Sequence, residues 1–372
     1  NKCTPGVHKR VTEENMRKLN KTAACGILAA ALAAGTLSGC SKAIDGTKTV
    51  ATVGDEKVTL GLASYMVRDQ QAQTMSYYNM LMSQYGVSGS ASNVWDQKGD
   101  DGKTVGESSK DGVMTTINQL YVLKAHAADY DVTITDDEEK AIKEAAAEFI
   151  KDNDEKILKK LAVSEDDIVT YLELVTIRSK MHDPMTADVD TEVSANEKDQ
   201  TRVTIVKVST EGTEKDDDGN TIDLTDEEKA QKKDLAQQVL DKVKASDDVA
   251  NADMDALAKE VDDSLSATAP AFTTAGSTDD TLDEAVQDAA LELKDGEVAD
   301  SVIEGDDGYY VVRLDKMLDE DATENKEKTV ISERKSDLYD STLEDWVKEE
   351  KIKVKDKVWD PVSYTHLTLP TT

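Results

Sequence analysis

The chain is poor in cysteine and carries no motif of a familiar catalytic or metal centre. It contains three cysteines in 372 residues, Cys3, Cys25 and Cys40. Two of them fall in a leader segment described below, so an exported body would hold no pair for a disulfide and would depend on packing for its stability. A glycine-rich phosphate loop, a serine-nucleophile motif and a Cys/His cluster are also lacking. We therefore expect neither a cofactor nor a bound metal.

Positive charge is scarce as well. The sequence has 44 Lys and Arg against 77 Asp and Glu, which gives a formal net charge of −33 at pH 7. So acidic a surface repels nucleic-acid phosphates and anionic lipid head groups, and it keeps an exported protein dispersed. Nucleic acid is thereby excluded as a partner.

Histidine is too rare and too scattered for a metal site. Of the four histidines, only His126 and His182 lie outside the terminal segments, and neither belongs to a recognisable ligand pattern. We expect both to be ordinary helix residues. Residues 214–219, Glu-Lys-Asp-Asp-Asp-Gly, resemble part of a calcium loop, but the twelfth position would be Thr225, where an EF-hand needs a bidentate Glu. The sequence excludes an EF-hand and leaves loose cation binding open.

Long apolar runs are absent except for residues 23–37, which follow a basic stretch at 17–21 and a start at Met16. This run is shorter than the roughly 20 residues of a spanning helix, and its order of basic, apolar and small residues is typical of a secretory signal. It ends in Leu-Ser-Gly-Cys40, which resembles the lipobox of bacterial lipoproteins. We expect a signal peptide at 16–39, lipidation at Cys40 and an extracytoplasmic protein anchored to the bacterial cell membrane. The alternatives are an ordinary signal peptide with an incidental cysteine, or a short anchor helix.

The two ends differ in composition from the rest of the chain. Residues 1–15 precede the expected start and are interpreted as upstream sequence or a cloning remnant. Residues 362–372 lose the acidic character of the preceding segments and resemble a translated sequencing-adapter read-through. We expect neither end to belong to the fold, which leaves the true C-terminus open.

Residues 41–197 predict a mainly helical domain with a small β element. Two β-branched runs flank a Gly-Asp turn within residues 49–59. Helices are predicted at residues 60–85, 113–130, 136–152 and 164–181, with an exposed loop at 86–112. Two of these helices begin with capping boxes, from Thr135 to Glu138 and from Ser164 to Asp167.

Residues 198–320 predict a compact α+β domain. A strand at 202–208 shows the alternation and β-branched content of a sheet. The later elements are helices at 225–244, 253–261 and 282–293 and strands at 298–303 and 309–314. A long helix at 332–350 and a strand at 351–355 follow. The last strand is predicted to pair with residues 49–53, so that 321–361 rejoins the helical domain.

Three short segments carry a resemblance to a known family. They are residues 253–260, Asp-Met-Asp-Ala-Leu-Ala-Lys-Glu, residues 285–298, Ala-Val-Gln-Asp-Ala-Ala-Leu-Glu-Leu-Lys-Asp-Gly-Glu-Val, and residues 308–312, Gly-Tyr-Tyr-Val-Val. Their order and spacing resemble the PrsA/SurA-type foldases. The resemblance implies an α+β fold class: a split, mainly helical SurA N-like chaperone domain with an inserted parvulin-like (FKBP-like) α+β domain.

The same resemblance implies a proline-binding site whose usual residues are replaced. Parvulins place two facing histidines in the sheet and line the pocket with a Met and a Phe four residues apart. Here the first histidine position falls at Val203 or Thr204 and the second at Tyr310, while Leu282 and Val286 take the Met and Phe positions. Prolyl isomerisation needs an apolar pocket that favours the twisted amide. A shallow cleft with Tyr310 as a hydrogen-bond donor predicts low or no isomerase activity.

The first long helix is rich in Met and Tyr, which suits a surface that adapts to many partners. We name six candidates for binding unfolded clients: Tyr65, Met66, Tyr77, Tyr78, Met80 and Met82. The alternative is that these side chains pack the core of the helical domain, because apolar residues at helical spacing are usually buried.

The sequence therefore predicts a foldase or chaperone for unfolded or nascent exported proteins, with a parvulin-like domain of low or no activity. One alternative is an active parvulin-type peptidyl-prolyl cis-trans isomerase with an altered pocket. Another is a solute-binding lipoprotein, which would show repeated βαβ units that this sequence lacks.

Overall fold

In the computed structural model, the described residues are 45–84, 91–212, 221–275, 281–360 and 362. The chain divides into two compact units: Asn1–Asp188 together with Asp337–Thr372 form the first, and Val189–Ser336 form the second. The second unit is thus an insertion in the first. The predicted fold class, a split helical domain with an inserted α+β domain, is confirmed. The predicted lipobox and the calcium-like segment lie outside the described residues.

The first unit contains a three-stranded antiparallel sheet made from both ends of the chain. Its strands are β1 (Thr49–Val53), β2 (Glu56–Thr59) and β8 (Ile352–Val354), in the order β2–β1–β8. A turn at Gly54, with a φ of 55°, joins β1 to β2, and glycine adopts this left-handed conformation without strain. Ala51 lies opposite Val354, which is the pairing that the sequence predicted.

Five helices make up most of the first unit. They are α1 (Leu60–Gln84), α2 (Val105–His126), α3 (Asp136–Asp152), α4 (Glu155–Leu161) and α5 (Glu165–Met185). Helix α2 begins earlier than the predicted residue 113, because Thr104 caps it. The backbone N–H of Glu107 donates to Oγ1 of Thr104 at 3.1 Å, and the Glu107 carboxylate accepts from the Thr104 N–H at 2.8 Å. This capping box satisfies two backbone donors of the first turn.

The core of the first unit gathers side chains from these helices and from the sheet. Leu62, Ile117, Ile142 and Leu172 are among its fully buried members. A polar contact at Asp167 joins two of its elements: Asp167 accepts from Oγ of Ser164 at 2.7 Å and from Oγ1 of Thr59. The capping box of α5 is therefore tied to the end of β2.

The second unit is built on an antiparallel sheet with helices on its faces. Its strands are β3 (Gln200–Ser209), β4 (Ala267–Thr268), β5 (Ala271–Thr273), β6 (Ile303–Gly305) and β7 (Gly308–Lys316). The strand order is β4–β3–β7–β6, and β5 also pairs with β3. The helices are α6 (Ala195–Lys198), α7 (Asp226–Lys244), α8 (Met254–Lys259) and α9 (Glu284–Leu291).

A long helix and a strand also differ markedly from their predicted bounds. Helix α10 (Glu320–Glu349) starts well before the predicted residue 332, because Asp319 accepts from the N–H of Ala322 at 3.0 Å and so caps its first turn. The strand predicted at 298–303 is shorter: β6 forms only at its end, and Val298 contributes an isolated bridge to Arg313. A short helix, α11 (Asp356–Trp359), follows β8.

Candidate functional site

The sheet of the second unit has two distinct apolar faces, because successive side chains of a strand point to opposite sides. In the pairing of β3 with β7, Ile205 lies opposite Val312 and Val206 lies opposite Val311. Val203, Ile205, Tyr310, Val312 and Leu314 share one cluster with residues of α9. Val206, Val208, Tyr309 and Val311 share the other with residues of α7 and α8. The predicted proline site corresponds to the first of these faces.

Tyr310 lies at the end of this face and is only 5% exposed. Its hydroxyl donates to the carboxylate of Asp307, and the same carboxylate pairs with the ammonium of Lys207. The Lys207 ammonium also lies 5.9 Å from the centre of the Tyr310 ring. Burial, followed by the hydrogen bond to Asp307, raises the pKa of the Tyr310 hydroxyl. The hydroxyl is therefore a neutral donor that is already occupied within the protein.

The Asp307 carboxylate accepts hydrogen bonds from both Lys207 and Tyr310. The hydrogen bond from Lys207, then that from Tyr310, lowers the pKa of the Asp307 carboxyl. Its side chain lies in the turn between β6 and β7. Neither Asp307 nor Lys207 was expected from the sequence to belong to the site. Lys207 lies in β3 directly opposite Tyr310, and Asp307 directly precedes β7.

Thr204 and Tyr310 were named as positions where the family's two histidines are replaced, and the structure does not bring the two side chains together. Thr204 lies on the other face, where its hydroxyl donates to Oδ2 of Asp315 at 2.6 Å and accepts from Arg313 at 3.3 Å. Val203 is the neighbour that shares the face of Tyr310. A shift of one residue along a strand exchanges the two faces, so the two positions named for the first histidine differ completely in surroundings.

Arg313 explains why the Thr204 side of the sheet is closed. The residue is buried, and its Nη1 donates to the backbone carbonyls of Val249 and Ala252 at 3.1 and 2.8 Å. Its Nε pairs with Asp315 at 2.7 Å. The guanidinium is thus used to fix the segment before α8, and it leaves no donor aimed at a substrate on the Tyr310 face.

The two proline-pocket candidates, Leu282 and Val286, lie on the face of Tyr310. Val286 is 0% exposed and belongs to the same cluster as Tyr310 and Phe272, while Leu282 is partly buried and packs against that cluster. A ligand contacts only accessible atoms, so Val286 cannot line an open pocket in this conformation. Val286 and Tyr310, two of the residues predicted to form the shallow cleft, are thus buried among the protein's own side chains.

Asp283 holds the start of α9 against the turn before β7. Its carboxylate accepts from the N–H of Ala285 at 2.9 Å and from the N–H of Asp306 at 2.6 Å. A Cβ on Gly305 would lie 2.5 Å from the Asp283 carboxylate and 2.9 Å from the Tyr310 ring. Glycine at position 305 therefore permits a close approach that keeps the site packed.

The client-binding candidates divide along helix α1. Tyr65 and Met66, near its start, are buried in the core. The Tyr65 ring meets the edges of Phe149 and Tyr171 at centroid distances of 5.5 and 5.1 Å, a favourable aromatic arrangement. Burial raises the pKa of the Tyr65 hydroxyl and raises that of Tyr171 to about 12. For these two candidates the core interpretation holds.

The second half of α1 is different. Tyr77 is 63% exposed and Met80 is 61% exposed, whereas Tyr78 and Met82 are partly buried. Along α1, Met75 is the last residue that packs against the core cluster of the first unit. No residue from position 70 to position 95 is charged, in a chain where charged residues make up 33%. We call residues 70–84 the neutral helix half.

The two histidines pack against aromatic side chains of α10. His126 stacks on Trp346 with a centroid distance of 4.1 Å, and His182 lies 5.5 Å from Tyr339. Within the described part of the chain, no three His, Cys, Asp or Glu side chains gather into a group suited to a metal ion. No helix of that part has both the length and the apolarity that a bilayer crossing requires.

A comparison with protein families identifies part of the second unit. Residues 215–327 match the family model described as the PPIC-type PPIASE domain. This match confirms the predicted parvulin-type domain. It includes Leu282, Val286 and Tyr310 but begins after strand β3, which carries Val203 and Thr204. No curated protein matches the chain significantly.

Several solved structures are similar to the chain at low identity. The foldase protein PrsA from Lactococcus lactis is 15% identical, with 86% of this chain and 99% of that chain covered and a TM-score of 0.33. The peptidylprolyl isomerase PrsA from Bacillus cereus is 16% identical, with 73% and 97% covered and a TM-score of 0.29. A structure of SurA-like chaperones from Campylobacter jejuni is 14% identical, with 70% and 99% covered and a TM-score of 0.20.

Proposed function

We propose that this protein is an extracytoplasmic foldase, lipid-anchored at Cys40, that binds unfolded or nascent exported polypeptides through its first unit. The observation that carries the proposal is the exposure of Tyr77 and Met80 in the middle of the neutral helix half. Large apolar side chains grouped on one exposed surface mark a site of contact with other chains. The flexible thioether of Met adapts to segments of different shape.

The parvulin-like domain has low or no isomerase activity in this proposal. A catalyst of prolyl isomerisation must hold the proline ring and stabilise the twisted amide more than the planar one. Here Val286 is fully buried and the Tyr310 hydroxyl is engaged by Asp307. The domain retains the family's fold with its site filled, which suits a scaffold or a peptide-binding module better than an enzyme.

The client-binding part of the proposal is tested by suppression of aggregation. The purified protein without its leader is mixed with a chemically unfolded client, and light scattering is followed as the client is diluted. The wild type is expected to reduce scattering, and the double variant Tyr77→Ser, Met80→Ser is expected to lose most of this effect. Leu318→Ser is the matched control, because Leu318 is a large apolar residue that is 51% exposed in the second unit.

Equal suppression by the wild type and the double variant would contradict the assignment of the client surface. The same samples also address a solute-binding lipoprotein. A thermal shift with one small molecule, together with no suppression of aggregation, would favour that alternative.

The isomerase question needs a proline-peptide assay on the same protein. We expect a rate close to the uncatalysed rate, which is set by a barrier of about 20 kcal/mol. A clear catalytic rate that is lost in both Leu282→Asp and Tyr310→Ala would establish the alternative, an active isomerase with an altered pocket. Circular dichroism of both variants is needed to show that the second unit is still folded.

The anchor is tested in cells. A protein lipidated at Cys40 is expected in the membrane fraction and is expected to incorporate labelled fatty acid. Cys40→Ser removes the acylated thiol, so the variant is expected in the soluble extracytoplasmic fraction without label. Release of both proteins in equal amounts would contradict lipidation.

A further inference from the structure

The charge distribution around the candidate client surface restricts the clients that it suits. Residues 45–188 and 337–360 of the first unit contain 34 acidic against 20 basic residues, and Val189–Ser336 contains 41 against 17. Within this acidic chain, the neutral helix half contains no charge at all. The contrast is abrupt along the sequence: Arg68 and Asp69, which are both buried, directly precede the neutral helix half, and Asp96 is the next charged residue after it.

The outward side of the neutral helix half is uniform in chemistry. Residues 73, 77, 80 and 84 follow helical spacing, and all four are exposed. They are Gln73, Tyr77, Met80 and Gln84, so two apolar side chains lie between two amides. A client segment bound here meets apolar and neutral polar groups, and a charge placed against them would lose water without gaining a partner.

We propose that the neutral helix half binds an extended client segment that has an uncharged apolar centre and Lys or Arg on either side of it. The inference rests on the proposed client-binding function and specifies the class of segment. The apolar centre packs on Tyr77 and Met80. The basic flanks extend over the acidic surface, where they are attracted rather than repelled.

The attraction acts over a short range. At physiological salt the screening length is about 8 Å, so basic flanks are attracted only where they pass close to exposed carboxylates. An extended client advances about 3.3 Å per residue, so three basic residues on each side of the apolar centre reach about 10 Å beyond it.

The test uses peptides with one apolar centre and different flanks. Three fluorescent peptides share a five-residue Leu/Phe centre and carry either three Lys, three Ser or three Asp on each side. Anisotropy is measured with the full protein lacking its leader, at 20 mM and at 500 mM NaCl. At low salt the Lys peptide is expected to bind at least tenfold more tightly than the Asp peptide, with the Ser peptide between them.

Measurements at high salt separate the contribution of charge to peptide affinity from the contribution of apolar contact. At 500 mM NaCl the difference between the Lys and Asp peptides is expected to fall to less than threefold, because screening removes the electrostatic part. The Ser peptide is expected to change by less than twofold. A fourth peptide with one Lys in the middle of the apolar centre is expected to bind at least fivefold more weakly than the Lys-flanked peptide.

Variants test whether the peptides bind at helix α1. Tyr77→Ser with Met80→Ser is expected to weaken all peptides at least tenfold, whereas Leu318→Ser leaves them within twofold. If the Ser peptide does not bind the wild type, the client surface itself is wrong. If the Ser peptide binds but the Lys and Asp peptides bind with equal affinity at 20 mM NaCl, only the proposed charge preference is wrong.

A second copy of the same chain is the other occupant to exclude. Sedimentation velocity is expected to show no self-association that depends on Tyr77 and Met80, because two chains of net charge −33 repel each other. A dimer that the double variant dissociates would overturn the proposal, since the surface would then be an interface between copies.

Discussion

Tyr77 and Tyr310 belong to the two candidate sites, and their surroundings are opposite. Tyr77 is mostly exposed on the neutral helix half of α1, while Tyr310 is almost fully buried and is hydrogen-bonded to Asp307. A tyrosine side chain thus lies on an exposed surface in one unit and is packed among other side chains in the other. Among the described residues, the two most exposed large apolar side chains, Tyr77 and Met80, lie on the helical unit, whereas Val286 and Tyr310 of the second unit are buried. The predictions below test this difference.

The largest expected effect is that of Tyr310→Ala. Removing a buried aromatic ring leaves a cavity and typically costs about 3 kcal/mol or more. Hydrogen exchange of the β3 and β7 amides in the full protein measures the change without assuming that both units unfold together. Protection unchanged by the substitution would show that the ring does not fill the site.

Val286→Ala tests the packing of the same site from helix α9. Val286 is fully buried, and the loss of two methyl groups with a cavity is expected to cost about 2 kcal/mol. Leu282→Ala is the matched control on the neighbouring turn, and its partly exposed side chain is expected to cost about 1 kcal/mol. The reverse order of the two losses would mean that the cleft is open at Val286.

Asp307→Asn tests the polar closure of the site and its dependence on pH. The substitution keeps the shape but removes the charge that pairs with Lys207, and we expect a loss of about 1 kcal/mol at pH 7 because the pair is partly exposed. The pKa of Asp307 is lower in the folded protein than its ordinary value of 3.8. Its contribution is therefore present above about pH 5 and is lost as the pH falls through the lowered pKa.

The measurement is the stability of the second unit from pH 7 to pH 3, followed by hydrogen exchange in the wild type and in Asp307→Asn. The difference between the two proteins is expected to shrink on acidification. Some acid sensitivity remains in the variant, because hydrogen bonds from Ser194, supported by Arg334, lower the pKa of Glu197 to about 2. A difference that grows toward pH 3 would contradict the direction of the Asp307 shift.

The smallest expected effect on stability is that of Tyr77→Ala. A substitution on an exposed surface usually changes the free energy of unfolding by less than about 0.5 kcal/mol. Thermal unfolding monitored by circular dichroism is expected to overlay that of the wild type. Tyr65→Ala, on the buried half of the same helix, is the contrast and is expected to cost about 3 kcal/mol. A marked loss in Tyr77→Ala would show that Tyr77 is a packing residue.

Local sequence signals predicted much of the fold. The β-branched runs around Gly54 formed the hairpin, and helix α3 has the predicted bounds because a capping box marks its start and amphipathic spacing continues to its end. Where these signals were weak, the predictions failed. The start of α2 lies in a stretch rich in Gly and Ser, and its capping box at Thr104 was not noticed. Strands β4 and β5 are too short to show alternation.

The candidate site was harder to predict, because it depends on strand register and on long-range burial. The family's segments located α9 and β7, and therefore Leu282, Val286 and Tyr310 on one face. Whether Val203 or Thr204 faced Tyr310 depended on a single residue of register, which the sequence alone left open. The partition of the Met and Tyr residues along α1 follows from where the core ends, near Met75, and Met and Tyr occur on both sides of that boundary.

The sheet of the first unit also determines which of the two units can finish folding first. Ala51 of β1 pairs with Val354 of β8, about 300 residues later. The ribosome makes the chain from its amino end. The hairpin of β1 and β2 therefore lacks its third strand until nearly the whole protein has been synthesised. The second unit is one continuous segment and has all its strands before β8 exists. The inserted unit is thus completed first and the surrounding unit last, the reverse of the order in which tandem domains mature during synthesis.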